Sequence, residues 1–150
     1  RKISIYKERL RGYKEALQNH GIPFDPALVV ESDLQLEDGR SSMIQLLSGK
    51  SVPDAVFSAS ALGAVGAMQV LKEHNIKIPG EVALVAFSNE VYTSFIEPSL
   101  TAVDQHSMRM GNAAAEVFLE EIIRKDNKLI PNTTVLRPEL IIRASSLRKI

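Results

Sequence analysis

Apolar residues recur at three- and four-residue spacing between Tyr6 and His20, where Leu10, Tyr13, Ala16 and Leu17 share one face. This is the period of an amphipathic helix. Gly21 is placed to end that helix in a left-handed turn, and Pro23 prevents its resumption. Ala27 to Glu31, rich in Val and Leu, predicts a short strand. A second helix is predicted from Glu37 to Leu47, with Met43, Leu46 and Leu47 apolar and Ser48-Gly49 closing it. Pro53-Asp54 leads into a strand at Ala55-Val56-Phe57, and Leu62 to His74 predicts a third helix that stops at Asn75. Ile78-Pro79-Gly80 forms a turn into the unbroken apolar run Val82 to Phe87, and Ala102-Val103 begins another short strand. Met108 to Lys125 predicts a fourth helix, and Thr133 to Arg143 an extended segment interrupted by Pro138.

Helices alternate with strands, and the strands are continuously apolar instead of alternating. That is the signature of crossover units on a sheet covered by helices. The expected fold is α/β: a doubly wound, mostly parallel sheet with helices on both faces. In such sheets ligands bind beyond the carboxyl ends of the strands. Here those ends are small and polar: Ser58 and Ser60, Ser88 and Asn89, then Gln105. Each of these residues also suits a helix cap or a turn, so a cap and a ligand contact both remain open for each.

Composition narrows the function. The 150 residues are 45% hydrophobic and 24% charged, which is globular, and the formal net charge is zero. A surface gripping nucleic acid through phosphates is visibly basic, so this segment is not expected to touch DNA. Cysteine is absent, which removes disulfides and thiolate metal sites. No apolar run approaches the roughly 20 residues of a membrane span. Arg1-Lys2-Ile3-Ser4 is unlike a signal peptide and lacks an initiator methionine, so the chain reads as a piece of a longer protein.

Signatures of catalysis are missing. There is no GxxxxGK[ST] loop and no GxSxG elbow, and His20, His74 and His106 are scattered without ligand spacing. No metal and no cofactor is expected. Gly63-x-x-Gly66 lies within a helix, where it is read as letting that helix approach the sheet. Arg9, in Arg9-Leu10-Arg11-Gly12-Tyr13, is the one cation near the polar rim that sits a turn before a glycine, and a solvated place on the helix surface stays open for it beside a ligand contact.

Several stretches, taken in order, resemble the effector-binding half of lactose-repressor (LacI) family transcription regulators. They are Arg9-x-x-Gly12-Tyr13-x-x-Ala16-Leu17; Pro53 to Phe57 followed by Ala64-x-Gly66-Ala67-Met68-x-x-Leu71; Ile78 to Phe87; Pro98-x-Leu100-Thr101-x-Val103-x-Gln105; Gly111-x-x-Ala114; and Arg137-Pro138-Glu139-Leu140-x-x-Arg143-x-Ser145. The resemblance implies a lobe of the type I periplasmic-binding-protein-like fold. The second lobe would span about 1–104 and 134–150, and about 105–133 would be the returning part of the first. A DNA-binding domain would lie outside this chain.

The same resemblance implies a ligand site of Arg9, Leu34, Ser60, Ser88, Asn89 and Gln105. Arg9 would hold hydroxyls or a carboxylate, Leu34 would pack where relatives place an aromatic wall, and Gln105 would sit at the crossover between lobes. Where the family commonly has Asn-Asp after the second strand and Phe-Asp after the third, this chain has Ser60-Ala61 and Phe87-Ser88-Asn89. Loss of both carboxylates favours an anionic or less hydroxylated effector over a neutral hexose. A homodimer through Val65, Phe95 and Ile96 is also implied. Without the resemblance, Phe95 and Ile96 read as folding back on the chain's own core.

The expected function is therefore the effector-binding and dimerising part of a cytoplasmic regulator that senses a sugar or related metabolite. Operator DNA would be bound through the missing domain, and no membrane would be involved. A periplasmic sugar-binding protein and a flavodoxin-like enzyme are the rivals. A helix-turn-helix upstream of Arg1 would separate the first from a secreted protein, which would carry a signal peptide there.

Overall fold

The computed structural model describes residues 4–123 and 133–148. Its order is α1 (Ser4–Asn19), α2 (Leu36–Leu47), β1 (Ala55–Ser58), α3 (Ala61–Glu73), β2 (Ala83–Phe87), β3 (Thr101–Asp104), α4 (Ser107–Ile123) and β4 (Glu139–Ile141). The longest apolar run becomes the interior strand β2, parallel to β1 on one side and to β3 on the other. Beyond β3, the short β4 runs antiparallel, so the sheet order is β1-β2-β3-β4. The predicted ends of the helices hold to within a residue or two. Gly21 takes the left-handed turn expected of it, at φ 67°, and Asn75, where the third helix was expected to stop, is left-handed as well, at φ 56°. The expected end of α4 at Lys125, and the part of the returning segment from 124 to 132, lie outside the described residues.

Helix α3 covers one face of the sheet. Its buried Ala64, Ala67, Met68, Val70 and Leu71 meet Leu84 and Ala86 of β2, with Met43 of α2 and Leu100 completing the core. The alternation of side chains puts Phe57 and Phe87 on the opposite face. Their rings meet edge to face at 6.3 Å, and α1 reaches this second face through Arg9.

Two expectations are corrected. Ala27 to Glu31 forms no strand; Pro26–Leu28 is a single 3₁₀ turn, followed by an unpaired stretch. Asp25 caps that turn by accepting from the Ala27 N–H at 2.8 Å, and Pro26 supplies a φ already suited to it. Local capping therefore overrides the β propensity of Val29 and Val30, which have no strand beside them to pair with.

The second correction concerns the glycines of α3. A Cβ on Gly66 would lie 2.1 Å from the Leu36 carbonyl oxygen, and one on Gly39 would lie 2.0 Å from that of Gly63. The close approach is helix to helix, α3 against α2, and not helix to sheet. Only Gly63 also faces a strand end, where an added Cβ would meet Ser58 Oγ at 3.0 Å.

Candidate ligand-binding rim

The carboxyl ends of β1, β2 and β3 release the chain at one edge of the sheet, and the predicted site residues gather there. After β1, Ser58 Oγ donates to the Ser60 carbonyl at 2.8 Å, which tightens the turn. Ser60 Oγ then accepts from Gly63 N–H at 2.9 Å as the N-cap of α3. It also donates to the carbonyl of Leu34 at 2.8 Å, joining the loop before α2 to this turn. Leu34 itself sits at φ 63°, a left-handed conformation that costs a branched residue energy unless its surroundings hold it.

Arg9 extends from α1 across the rim. Its guanidinium carbon lies 3.7 Å from the Phe87 ring centroid and 5.4 Å from that of Tyr6. Stacking of this kind is worth about 0.5–2 kcal/mol, depending on how dry it is. Nη1 donates to the Ala59 carbonyl at 2.7 Å, while Nε is buried with no partner among the described residues. Burial of the group pulls its pKa down from the ordinary arginine value, an effect that the Tyr6 oxygen partly offsets. The guanidinium stays charged all the same. The result is a cation fixed by two rings and one carbonyl, with donor capacity left over. Such a planar fork suits paired oxygens.

After β2, Ser88 turns left-handed at φ 84° and its N–H donates to the Val103 carbonyl at 3.1 Å. Its hydroxyl accepts from Gln105 Nε2 at 3.1 Å, so the ends of β2 and β3 are tied side chain to side chain. Asn89 faces a different set of partners. Its Oδ1 accepts from Arg143 Nη2 at 2.8 Å and from Thr93 Oγ1 at 3.2 Å, and its Nδ2 donates to Asp104 Oδ2 at 3.0 Å. One amide hydrogen of Asn89 is left for anything else. The His106 N–H, at 2.7 Å, and then the Asn89 amide hold Asp104 below the usual carboxylate range.

Arg9, Leu34, Ser60, Ser88 and Gln105 are thus brought to one rim, while Asn89 is largely consumed in bracing it. The aromatic setting of Arg9, made by Tyr6 and Phe87, was not anticipated, nor were Asp104 and Arg143 as partners of Asn89. Arg143 stands 54 residues from Asn89 in sequence, beyond the reach of any local pattern. Below Arg9 opens a cavity of about 510 Å³, lined mainly by apolar side chains of α1, α2 and β1.

Of the residues assigned to self-association, Phe95 is 71% exposed and its neighbour Val91 81% exposed. Ile96 packs partly against the chain's own core, and Val65 is half-buried on α3. His20 and His74 each point Nδ1 at the carbonyl one helical turn earlier, at 2.9 Å. No helix among the described residues is long and apolar enough to cross a membrane.

Residues 2–146 match the family model described as periplasmic binding protein-like domain. The HTH-type transcriptional repressor PurR of Haemophilus influenzae (strain PittEE) is 29% identical over 140 residues, covering 93% of this chain and 42% of that protein. Among solved structures, a complex of the transcriptional regulator CelR with cellobiose superposes with a TM-score of 0.84 at 33% identity, covering 92% of this chain and 42% of the other. A LacI family transcriptional regulator from Lactobacillus casei with bound sucrose gives 0.80 at 26% identity, covering 93% and 50%. This chain therefore spans half or less of the length of each of these proteins. The mixed sheet and the match along nearly the whole sequence agree: the chain belongs to the periplasmic binding protein-like domain family, and it is similar over most of its length to a LacI family transcriptional regulator.

Proposed function

We propose that this chain is the effector-recognising part of a LacI-type transcription regulator and that it binds a sugar or related small polar metabolite, without catalysis. The observation that carries this reading is the Arg9 guanidinium, held with spare donors over Tyr6 and over Phe87, the residue that precedes Ser88 at the end of β2. Arg9, Ser88 and Gln105 are assigned the polar contacts. Leu34 supplies an apolar wall, Ser60 fixes that wall to the sheet, and Asn89 positions the turn and offers its remaining amide hydrogen. The two relatives whose structures contain cellobiose and sucrose support a sugar as the ligand class. The lack of a carboxylate at Ser60-Ala61 and at Ser88-Asn89 favours a ligand with an anionic group facing Arg9.

In this reading residues 1–104 and 134–150 form the second lobe, and 105–133 the returning part of the first. Operator DNA is bound by a domain outside the chain, in the cytoplasm. Two copies pair through the surface around Val65, Phe95 and Ile96, with Phe95 as its most exposed member. Ligand affinity that differs between two arrangements of the lobes is what would shift the DNA-binding heads.

The test is calorimetric titration of the full-length protein against neutral sugars and sugar phosphates, repeated with Arg9→Ala. Binding of one panel member with at least about tenfold loss in the variant is expected, since a charged hydrogen bond contributes about 1.5–3 kcal/mol. Unchanged affinity in Arg9→Ala would overturn the site assignment.

A further inference from the structure

Ser88 takes a backbone conformation that its own side chain opposes. At φ 84° it is left-handed, where a residue with a Cβ stays only if its surroundings impose it. On one side the sheet imposes it. Phe87 is in register with Val103 of β3, and the Ser88 N–H donates to the Val103 carbonyl at 3.1 Å. On the other side β2 has ended, so no ladder holds Asn89. Its side chain does so instead.

Charge decides how that side chain sits. Arg143 can only donate and ionised Asp104 can only accept. Arg143 Nη2 lies 2.8 Å from Asn89 Oδ1, and Asp104 Oδ2 lies 3.0 Å from Asn89 Nδ2. The cation and the anion together fix which way the amide faces, because a reversed amide would set donor against donor and acceptor against acceptor. Both charges are themselves anchored. Arg143 Nη1 donates to the carbonyl of buried Leu100 at 2.7 Å and to Oγ1 of buried Thr93 at 3.1 Å. Asp104 Oδ1 accepts from the His106 N–H at 2.7 Å. Ser88 is therefore held between two fixed neighbours, Phe87 and Asn89. With the turn so fixed, its hydroxyl meets Gln105 Nε2 at 3.1 Å.

We propose that Arg143, which makes no hydrogen bond to Ser88 or Gln105 among the described residues, is a positioning residue: acting through Asn89, it keeps Ser88 left-handed and so joins the Ser88 hydroxyl and the Gln105 amide into one contact surface. The inference rests on the proposed rim only for what that surface binds. The turn itself can be read with no ligand present.

Amide hydrogen exchange on the full-length protein, with no ligand added, tests it. In Arg143→Gln the Ser88 amide is expected to exchange at least ~10-fold faster, relative to the α3 amides, than in the native protein, as loss of a charged hydrogen bond eases local opening. Asn89→Ala cuts the same link but leaves Arg143 on Leu100 and Thr93. It should give the same result, and it covers the case in which Arg143→Gln fails to fold. Ser88→Gly is then added to each variant. Glycine needs no clamp at positive φ, so the amide at position 88 should regain most of its protection. A side chain that served overall stability alone would not yield to this rescue. The inference is overturned if the Ser88 amide merely keeps pace with the α3 amides in the single variants, or if Ser88→Gly brings no recovery. Either result concerns the turn; the Arg9→Ala titration decides separately whether the rim binds effector.

Discussion

The two edges of this sheet are built in opposite ways. Along the β3–β4 edge, the carboxyl-terminal segment is stitched down by buried polar bonds. Ser145 Oγ donates to the Leu84 carbonyl at 2.7 Å and accepts from Thr101 N–H at 2.8 Å. Arg143 donates to the Leu100 carbonyl at 2.7 Å as well as to Asn89. Along the β1 edge the polar ties are fewer and lie at the turns and the surface, Ser60 Oγ to the Leu34 carbonyl, Arg9 to the Ala59 carbonyl and Arg40 to Glu73; α2 meets α3 by backbone contact at Gly39, Gly63 and Gly66, and a cavity separates β1 from Leu28 to Ser32. The rim straddles both: Arg9, Leu34 and Ser60 belong to the open side, while Ser88, Asn89 and Gln105 belong to the stitched one.

Breaking the open side at its one tight seam should have the largest effect. Gly66→Ala places a Cβ within 2.1 Å of the Leu36 carbonyl, where backbone must yield. A loss of about 3 kcal/mol in unfolding free energy is expected from urea titration, with m unchanged. On the stitched side, Ser145→Ala removes both hydrogen bonds and leaves the Thr101 N–H and the Leu84 carbonyl buried without that partner. About 2 kcal/mol is expected by the same titration, with α2 and α3 amides keeping their relative exchange protection.

The smallest effect is a pH dependence. Asp104 has its carboxyl pKa depressed in the folded state, by the His106 N–H first and the Asn89 amide second. Its contribution is therefore fully present above its unfolded value, about 4, and is lost as pH falls below that toward the folded value. The midpoint of urea unfolding should fall more steeply from pH 5 to pH 3 in the native protein than in Asp104→Asn. Parallel curves would mean that the Asn89 brace does not depend on the charge.

The order of elements was legible in the sequence because it rests on local patterns. Val82 to Phe87 is too uniformly apolar to be anything but an interior strand, and Gly21 and Asn75 announce their turns. What failed depends on partners distant in sequence. Ala27 to Glu31 has the composition of a strand, but strand formation requires an edge to pair with, and Asp25-Pro26 imposes a capped turn meanwhile. Gly63-x-x-Gly66 signalled a close approach without saying to what. At the rim, polar residues at strand ends were visible, yet the division between Ser88 with Gln105 and Asn89 with Arg143 follows from contacts 17 and 54 residues apart.

The central claim, that the rim is where effector binds, is tested most directly by amide exchange on the full-length protein with and without a saturating sugar or sugar phosphate. Slower exchange concentrated at the turns after β1, β2 and β3, around Ser60, Ser88 and His106, is the predicted result. Slower exchange confined to Leu28 to Ser32 or to the Phe95 surface, with those turns unchanged, would contradict it.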